Sequence, residues 1–190
     1  GLADVKLDEW VAGEKDLLEG LKDQRVDAVI CCLGTTIRNV GGDKAKFIHV
    51  DQELVLGLAA WAERMGVPVF CVVSAMGADA RSRVFYNRVK GAMEAGLRGS
   101  AIPRTVIFQP SILTGPRKEW RLGERIGIAV MRAFAPLMVG GLSGYRPMPS
   151  DVLATALLEA VFSDESGPGI HVLRYNAIHA LANGRRPVKA

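Results

Sequence analysis

The sequence predicts an α/β protein built on a doubly wound parallel sheet. Three observations carry that prediction. The apolar runs DAVICCLG (27–34), VPVFCVVS (67–74) and RTVIFQPSIL (104–113) are continuous rather than alternating, the pattern of strands covered on both faces. Segments with helical spacing separate them, so strand and helix alternate along the chain. Each run ends in small or polar residues, which is where ligands bind in open parallel sheets.

The elements follow in order. Leu17, Leu18 and Leu21 mark a helix over 14–23. The strand at 27–34 comes next. A long amphipathic pattern over 44–65 places Val50, Leu54, Leu58 and Trp61 on one face; Gly66 closes it and Pro68 opens the strand at 67–74. A helix covers about 80–98. The third strand, 104–113, is stopped by Pro110 and the turn at 115–117. Helix patterns near 121–136 and 150–162 flank the Gly/Pro-rich GGLSGYRPMPS, and Ser150 and Asp151 offer N-cap chemistry. GIHVLR as a strand and YNAIHALA as a helix finish the chain. We find no internal repeat or low-complexity segment.

The bulk numbers narrow the class. With 190 residues, 49% hydrophobic and 23% charged, the chain suits one soluble globular domain. No apolar run is long enough to span a bilayer, and GLADVKLDEW does not read as a secretory signal, so no membrane partner is expected. The net charge of +4 is mild; the closing GRRPVK reads as a solvated terminus, and nucleic acid is not an expected partner. Cys31, Cys32 and Cys71 lie in apolar runs and form no disulfide framework or zinc spacing. They read as buried reduced thiols, which points to a cytoplasmic protein.

One stretch carries chemistry. In VVSAMGADARSRVFYNRVK, Ser74 ends a strand, Tyr86 follows twelve residues on, and Lys90 four beyond that. On a helix Tyr86 and Lys90 share a face. An ammonium beside a phenol stabilises phenolate and lowers its pKa, which makes proton exchange with a carbonyl or alcohol feasible. A serine hydroxyl can bond the same substrate oxygen. Tyr-x-x-x-Lys also occurs on many helices without function, and a serine ending a strand is often a cap. The placement on a strand end and the helix after it is what lifts the set above chance.

CCLGTT, VVSAMGAD, FYNRVKGAMEAGL and RTVIFQPSILTGPR, in this order, resemble the short-chain dehydrogenase/reductase superfamily, and within it the atypical branch around the TIP30-like proteins. The similarity runs from about residue 26 to the end. It implies a Rossmann-like NAD(P)-binding fold with Ser74, Tyr86 and Lys90 as the catalytic set: Tyr86 as general acid/base, Lys90 tuning it and holding ribose, Ser74 orienting the substrate oxygen. It further implies that Leu33, Gly34, Thr35 and Thr36 lie against the cofactor, and that Pro110, Ser111, Ile112 and Leu113 contact its nicotinamide. Asp51 reads first as a structural helix residue, and Arg117 as either solvated or phosphate-attracting. His49, His171 and His179 receive no catalytic role.

Members of that superfamily open with a strand, a Gly-rich turn and a helix that holds the pyrophosphate. Residues 1–25 contain only Gly1, Gly13 and Gly20, in another context. The expectation is a single domain over 1–190 that lacks its first βαβ unit, with 115–150 as a substrate-side cover. As a stand-alone chain it would bind dinucleotide weakly or not at all. The implied activity is NAD(P)(H)-dependent conversion of a small-molecule carbonyl or alcohol, leaning to NADP with NAD open. The alternative is a non-catalytic nucleotide-binding regulatory protein on the same fold. A homo-oligomer is left open.

Overall fold

The computed structural model describes residues 20–21, 25–115, 146–163 and 167–184. In chain order the elements are β1 (Ala28–Cys31), α1 (Lys44–Ile48), a π-helical segment (His49–Glu53), α2 (Leu54–Arg64), β2 (Val69–Val73), α3 (Phe85–Leu97), β3 (Arg104–Gln109), β4 (Leu113–Thr114), β5 (Met148–Pro149), α4 (Ser150–Phe162), β6 (Gly169–Arg174) and α5 (Tyr175–Ala182). The helices expected at 14–23 and 121–136, and the cover proposed around 115–150, fall almost wholly outside the described residues.

β1, β2, β3 and β6 form one parallel sheet in that order, and β4 pairs with β5 beside it. Successive strand residues point to opposite faces, so β2 and β3 feed two cores. Phe70, Val72 and Ile107 join Val55, Trp61, Met93 and Leu97 on the face covered by α2 and α3. Cys71, Val106 and Phe108 join Met148, Leu153, Leu157 and Ile178 on the face covered by α4 and α5. Every residue of β3 is buried, as a strand with helices on both faces requires.

β1 departs from the expected fully buried strand. Only Cys31 is buried there, and Ile30 is 39% exposed. Among the described residues β1 has a neighbour, β2, on one side only. An edge strand has half the cover of a central one, so its apolar residues stay partly open.

Two helix readings are also corrected. Pro149, not Ser150 or Asp151, is the N-cap of α4; Ser150 is already helical, and Asp151 Oδ1 accepts from the neighbouring Val152 amide, at 3.0 Å. The buried face of the long helix is Asp51, Val55, Leu58, Ala59, Trp61 and Ala62, so Leu58 and Trp61 are buried as expected while Val50 and Leu54 are only partly so. A count of apolar residues cannot select a face that begins with an aspartate. The helix starts on Asp43, whose Oδ1 accepts from the Ala45 and Lys46 amides. It ends at Gly66, at φ 68°, a conformation glycine adopts without strain.

Candidate functional site

The carboxyl ends of β1, β2 and β3 open onto a cavity of about 380 Å³. From β1 come Cys32, Leu33, Gly34 and Thr35, from the end of β2 Val73 to Met76, from α3 Tyr86 and Lys90, and from the end of β3 Pro110 to Leu113. The strand ends stay paired beyond the sheet: the Ser74 amide donates to Phe108 O at 2.7 Å and the Met76 amide to Pro110 O at 3.0 Å. That pairing fixes Ser74 at the cavity wall.

Of the residues expected to hold the site, Ser74, Tyr86, Lys90, Leu33, Gly34, Thr35, Pro110, Ser111, Ile112 and Leu113 all line this one cavity. Thr36 does not. Its Oγ1 accepts from the Asn39 amide at 3.1 Å and so closes a turn instead.

Asp51 is the site residue that the apolar pattern passes over. It is 1% exposed, sits in the π-helical segment and lines the cavity. Its Oδ1 lies 2.9 Å from Lys90 Nζ, and its Oδ2 accepts from the Thr35 amide at 2.8 Å. One carboxylate thereby joins the loop after β1 to the lysine of α3. The lysine, 3% exposed, needs that partner, because an unpaired buried ammonium is strongly unfavourable. Gly34 lies over the pair: a Cβ there would sit 3.4 Å from Asp51 Oδ1 and 3.7 Å from Lys90 Nζ. The missing side chain leaves both groups open to the cavity.

Tyr86 packs edge-on against Phe47, with ring centroids 6.0 Å apart, and remains 40% exposed. Its pKa is displaced opposite to the expected direction. Burial of the ring pushes the phenol up, and the negative charge of Asp51 pushes it further. Lys90, facing Asp51, does not offset this. The lysine expected to tune the tyrosine downward is thus engaged by the Asp51 carboxylate.

A second buried carboxylate stands behind Ser74. Glu94, 4% exposed, accepts the Ser74 hydroxyl at 2.5 Å on Oε1 and the Gln109 amide on both oxygens, at 2.9 and 3.0 Å. Gln109 Oε1 accepts in turn from Arg174 Nε at 3.3 Å. Tyr86, Lys90 and Glu94 are spaced by four along α3, and that spacing is the signal in the sequence that could have found Glu94. Gly91 lets the preceding loop touch this helix, since a Cβ there would lie 2.2 Å from Ala80 N.

No family model matches the chain. Curated relatives do match it, among them the following two. The HTATIP2 protein of Rattus norvegicus, of the TIP30 type, is 36% identical over 141 residues, which is 74% of this chain and 56% of that protein. The FMP52 protein of Eremothecium gossypii is 34% identical over 145 residues, 74% of this chain and 63% of its own length. The chain is TIP30-like, with a fold of the short-chain dehydrogenase/reductase type. It spans between about half and two thirds of the length of these TIP30-like relatives.

Solved structures agree on the fold. A short-chain dehydrogenase/reductase superfamily protein from Agrobacterium tumefaciens with bound NAD superposes with a TM-score of 0.60 at 16% identity, covering 85% of this chain and 63% of that one. MoeE5 in complex with UDP-glucose and NAD gives 0.57 at 15% identity, covering 90% and 67%. The TIP30-like chain has their Rossmann-type architecture. The cytoplasmic expectation is overturned, because FMP52 relatives from Eremothecium gossypii, Emericella nidulans and Aspergillus niger are named mitochondrial. The cysteines could not decide the compartment: Cys31 and Cys71 are buried as expected, but Cys32, expected to be buried too, is exposed, and all three are free thiols. No helix among the described residues is long and apolar enough to cross a membrane.

Proposed function

We propose that this protein is a nicotinamide-nucleotide-dependent oxidoreductase that interconverts a small alcohol and its carbonyl. The observation that carries the reading is that Ser74, Tyr86 and the Lys90–Asp51 pair line one cavity at the carboxyl ends of parallel strands. The residues fit a nicotinamide and its ribose. Lys90 is a donor and Asp51 an acceptor within reach of one vicinal diol, and the bare Gly34 backbone allows close approach. A cavity of about 380 Å³ suits that half of a dinucleotide. NAD accompanies the Agrobacterium structure and MoeE5, which supports the same class of ligand here, NAD or NADP.

When bound, the nucleotide supplies a hydride acceptor or donor at its nicotinamide ring. Tyr86 carries the proton: its hydroxyl donates to a carbonyl oxygen during reduction, or its phenolate takes the alcohol proton during oxidation. Ser74 holds the same oxygen from the strand side. Lys90 and Asp51 hold ribose. With its pKa displaced upward, Tyr86 is the protonated partner at neutral pH.

The upward displacement of Tyr86 also favours a second reading. A neutral phenol beside a neutralised lysine can bind nucleotide without turning it over, as a non-catalytic regulatory protein would. Thermal denaturation of the full-length protein with NADPH and with NADH separates the outcomes, since a ligand bound only by the native state raises its stability. A rise with either nucleotide is expected. No rise at millimolar concentration sinks both nucleotide readings. Tyr86→Phe should keep the rise and abolish turnover; a variant that turns over normally removes Tyr86 from the mechanism.

A further inference from the structure

The buried network behind Ser74 has a fixed hydrogen-bond polarity. Arg174 is a donor only, so its contact assigns Gln109 Oε1 as the acceptor and turns Gln109 Nε2 toward Glu94. Glu94 then meets donors from every side that the network provides: Nε2 on both oxygens and the Ser74 hydroxyl on Oε1. That is the environment of an acceptor-only carboxylate. A serine hydroxyl has one proton, and here Glu94 takes it. Ser74 lines the cavity, and its Oγ has only lone pairs left to offer a ligand there.

We infer that Glu94 is a positioning residue that fixes Ser74 Oγ as a hydrogen-bond acceptor, so that the cavity takes a hydroxyl-bearing substrate in preference to the matching carbonyl. The inference deepens the reading of the cavity as an alcohol–carbonyl site and rests on it. An alcohol can accept from Tyr86 and donate to Ser74 at once. A carbonyl oxygen can only accept, so opposite Ser74 it would set lone pair against lone pair. Serine and tyrosine are complementary to the alcohol in the empty site, one accepting and the other donating.

Glu94→Gln tests this with little change of shape. The new amide keeps the carbonyl toward Gln109 Nε2 and turns its NH₂ toward Ser74, whose proton is released to the cavity. Cyclohexanol and cyclohexanone are titrated separately into the full-length protein without nucleotide, following the amide resonances of Ser74 and Ala75. The wild type should bind the alcohol about fivefold more tightly, the worth of one hydrogen bond. Glu94→Gln should bring the ratio to one or invert it, and Ser74→Ala should bring the two affinities together. A merely structural Glu94 would weaken both probes alike.

The inference is overturned if the wild type binds the ketone as tightly as the alcohol or binds neither, or if Glu94→Gln keeps the wild-type ratio. Should that variant not fold, Ser74→Ala decides, and an unchanged ratio there overturns the inference as well. No nucleotide enters the measurement. Failure of nucleotide binding therefore removes hydride transfer while leaving the hydroxyl preference standing or falling by itself.

Discussion

Asp51, which lines the cavity, and Glu94, which stands behind its Ser74, are carboxylates of nearly equal burial, but their partners differ in kind. Asp51 faces an ammonium, while Glu94 faces a hydroxyl and a carboxamide. A buried ion pair resists change because removing either member strands the other in a medium of low polarity. A carboxylate held by neutral donors is more adaptable, because hydroxyls and amides can reverse the direction of a hydrogen bond without moving an atom far. The Asp51 side is therefore a fixed anchor, and the Glu94 side sets polarity.

The largest expected effect breaks the anchor. Asp51→Ala leaves Lys90 buried without its partner and the Thr35 amide without its acceptor, and should lower unfolding free energy by about 3–5 kcal/mol. Glu94→Gln should cost about 1 kcal/mol. Urea denaturation of both variants checks the pair, and equal losses would erase the distinction between the two carboxylates.

A smaller effect reads the anchor's charge. Asp51→Asn removes one of the two causes that raise the Tyr86 pKa and leaves Lys90 uncompensated nearby, so the phenol should ionise at lower pH. The sign is definite: at a given alkaline pH the variant holds more phenolate than the wild type. Titration of phenolate absorbance, with Tyr86→Phe as the blank, measures it. An unmoved transition would mean that burial alone sets the tyrosine. The smallest effect bounds the site. Thr36→Val breaks only a turn contact, on the chain segment that Asp51 anchors one residue earlier. It should change stability by less than about 1 kcal/mol and leave the thermal shift with NADPH unaltered. A lost shift would extend the anchored loop to Thr36.

The contrast also explains what could be read from the sequence. Continuous apolar runs located β2 and β3 closely, because burial on both faces leaves an unambiguous trace. Ser74, Tyr86 and Lys90 stood out because their residue types suit proton exchange, they sit at a strand end and on the helix after it, and the family resemblance singles out the same three. Asp51 did not, since a buried acid at the start of an apolar helix face looks like an interruption of that face. Its value comes from Lys90, 39 residues further along, and sequence spacing carries no information about such a meeting. Glu94 lay one helical step beyond Lys90, but its partner Gln109 sits on another element. The openness of β1 was equally hidden, because strand composition reports what a strand could bury and not how many neighbours it has.

Residues 86, 90 and 94 make α3 a ruler, graduated in a phenol, an ammonium and a carboxylate, the proposed proton donor, ribose anchor and polarity setter. At about 1.5 Å per residue, neighbouring marks are about 6 Å apart along a single rigid rod. Because they share that rod, they also share its phase. Inserting one residue between Tyr86 and Lys90 would turn everything beyond it by about 100° and move both later marks off the cavity together. The site can thus be retuned by exchanging side chains at the marks, but it admits no change in the count between them.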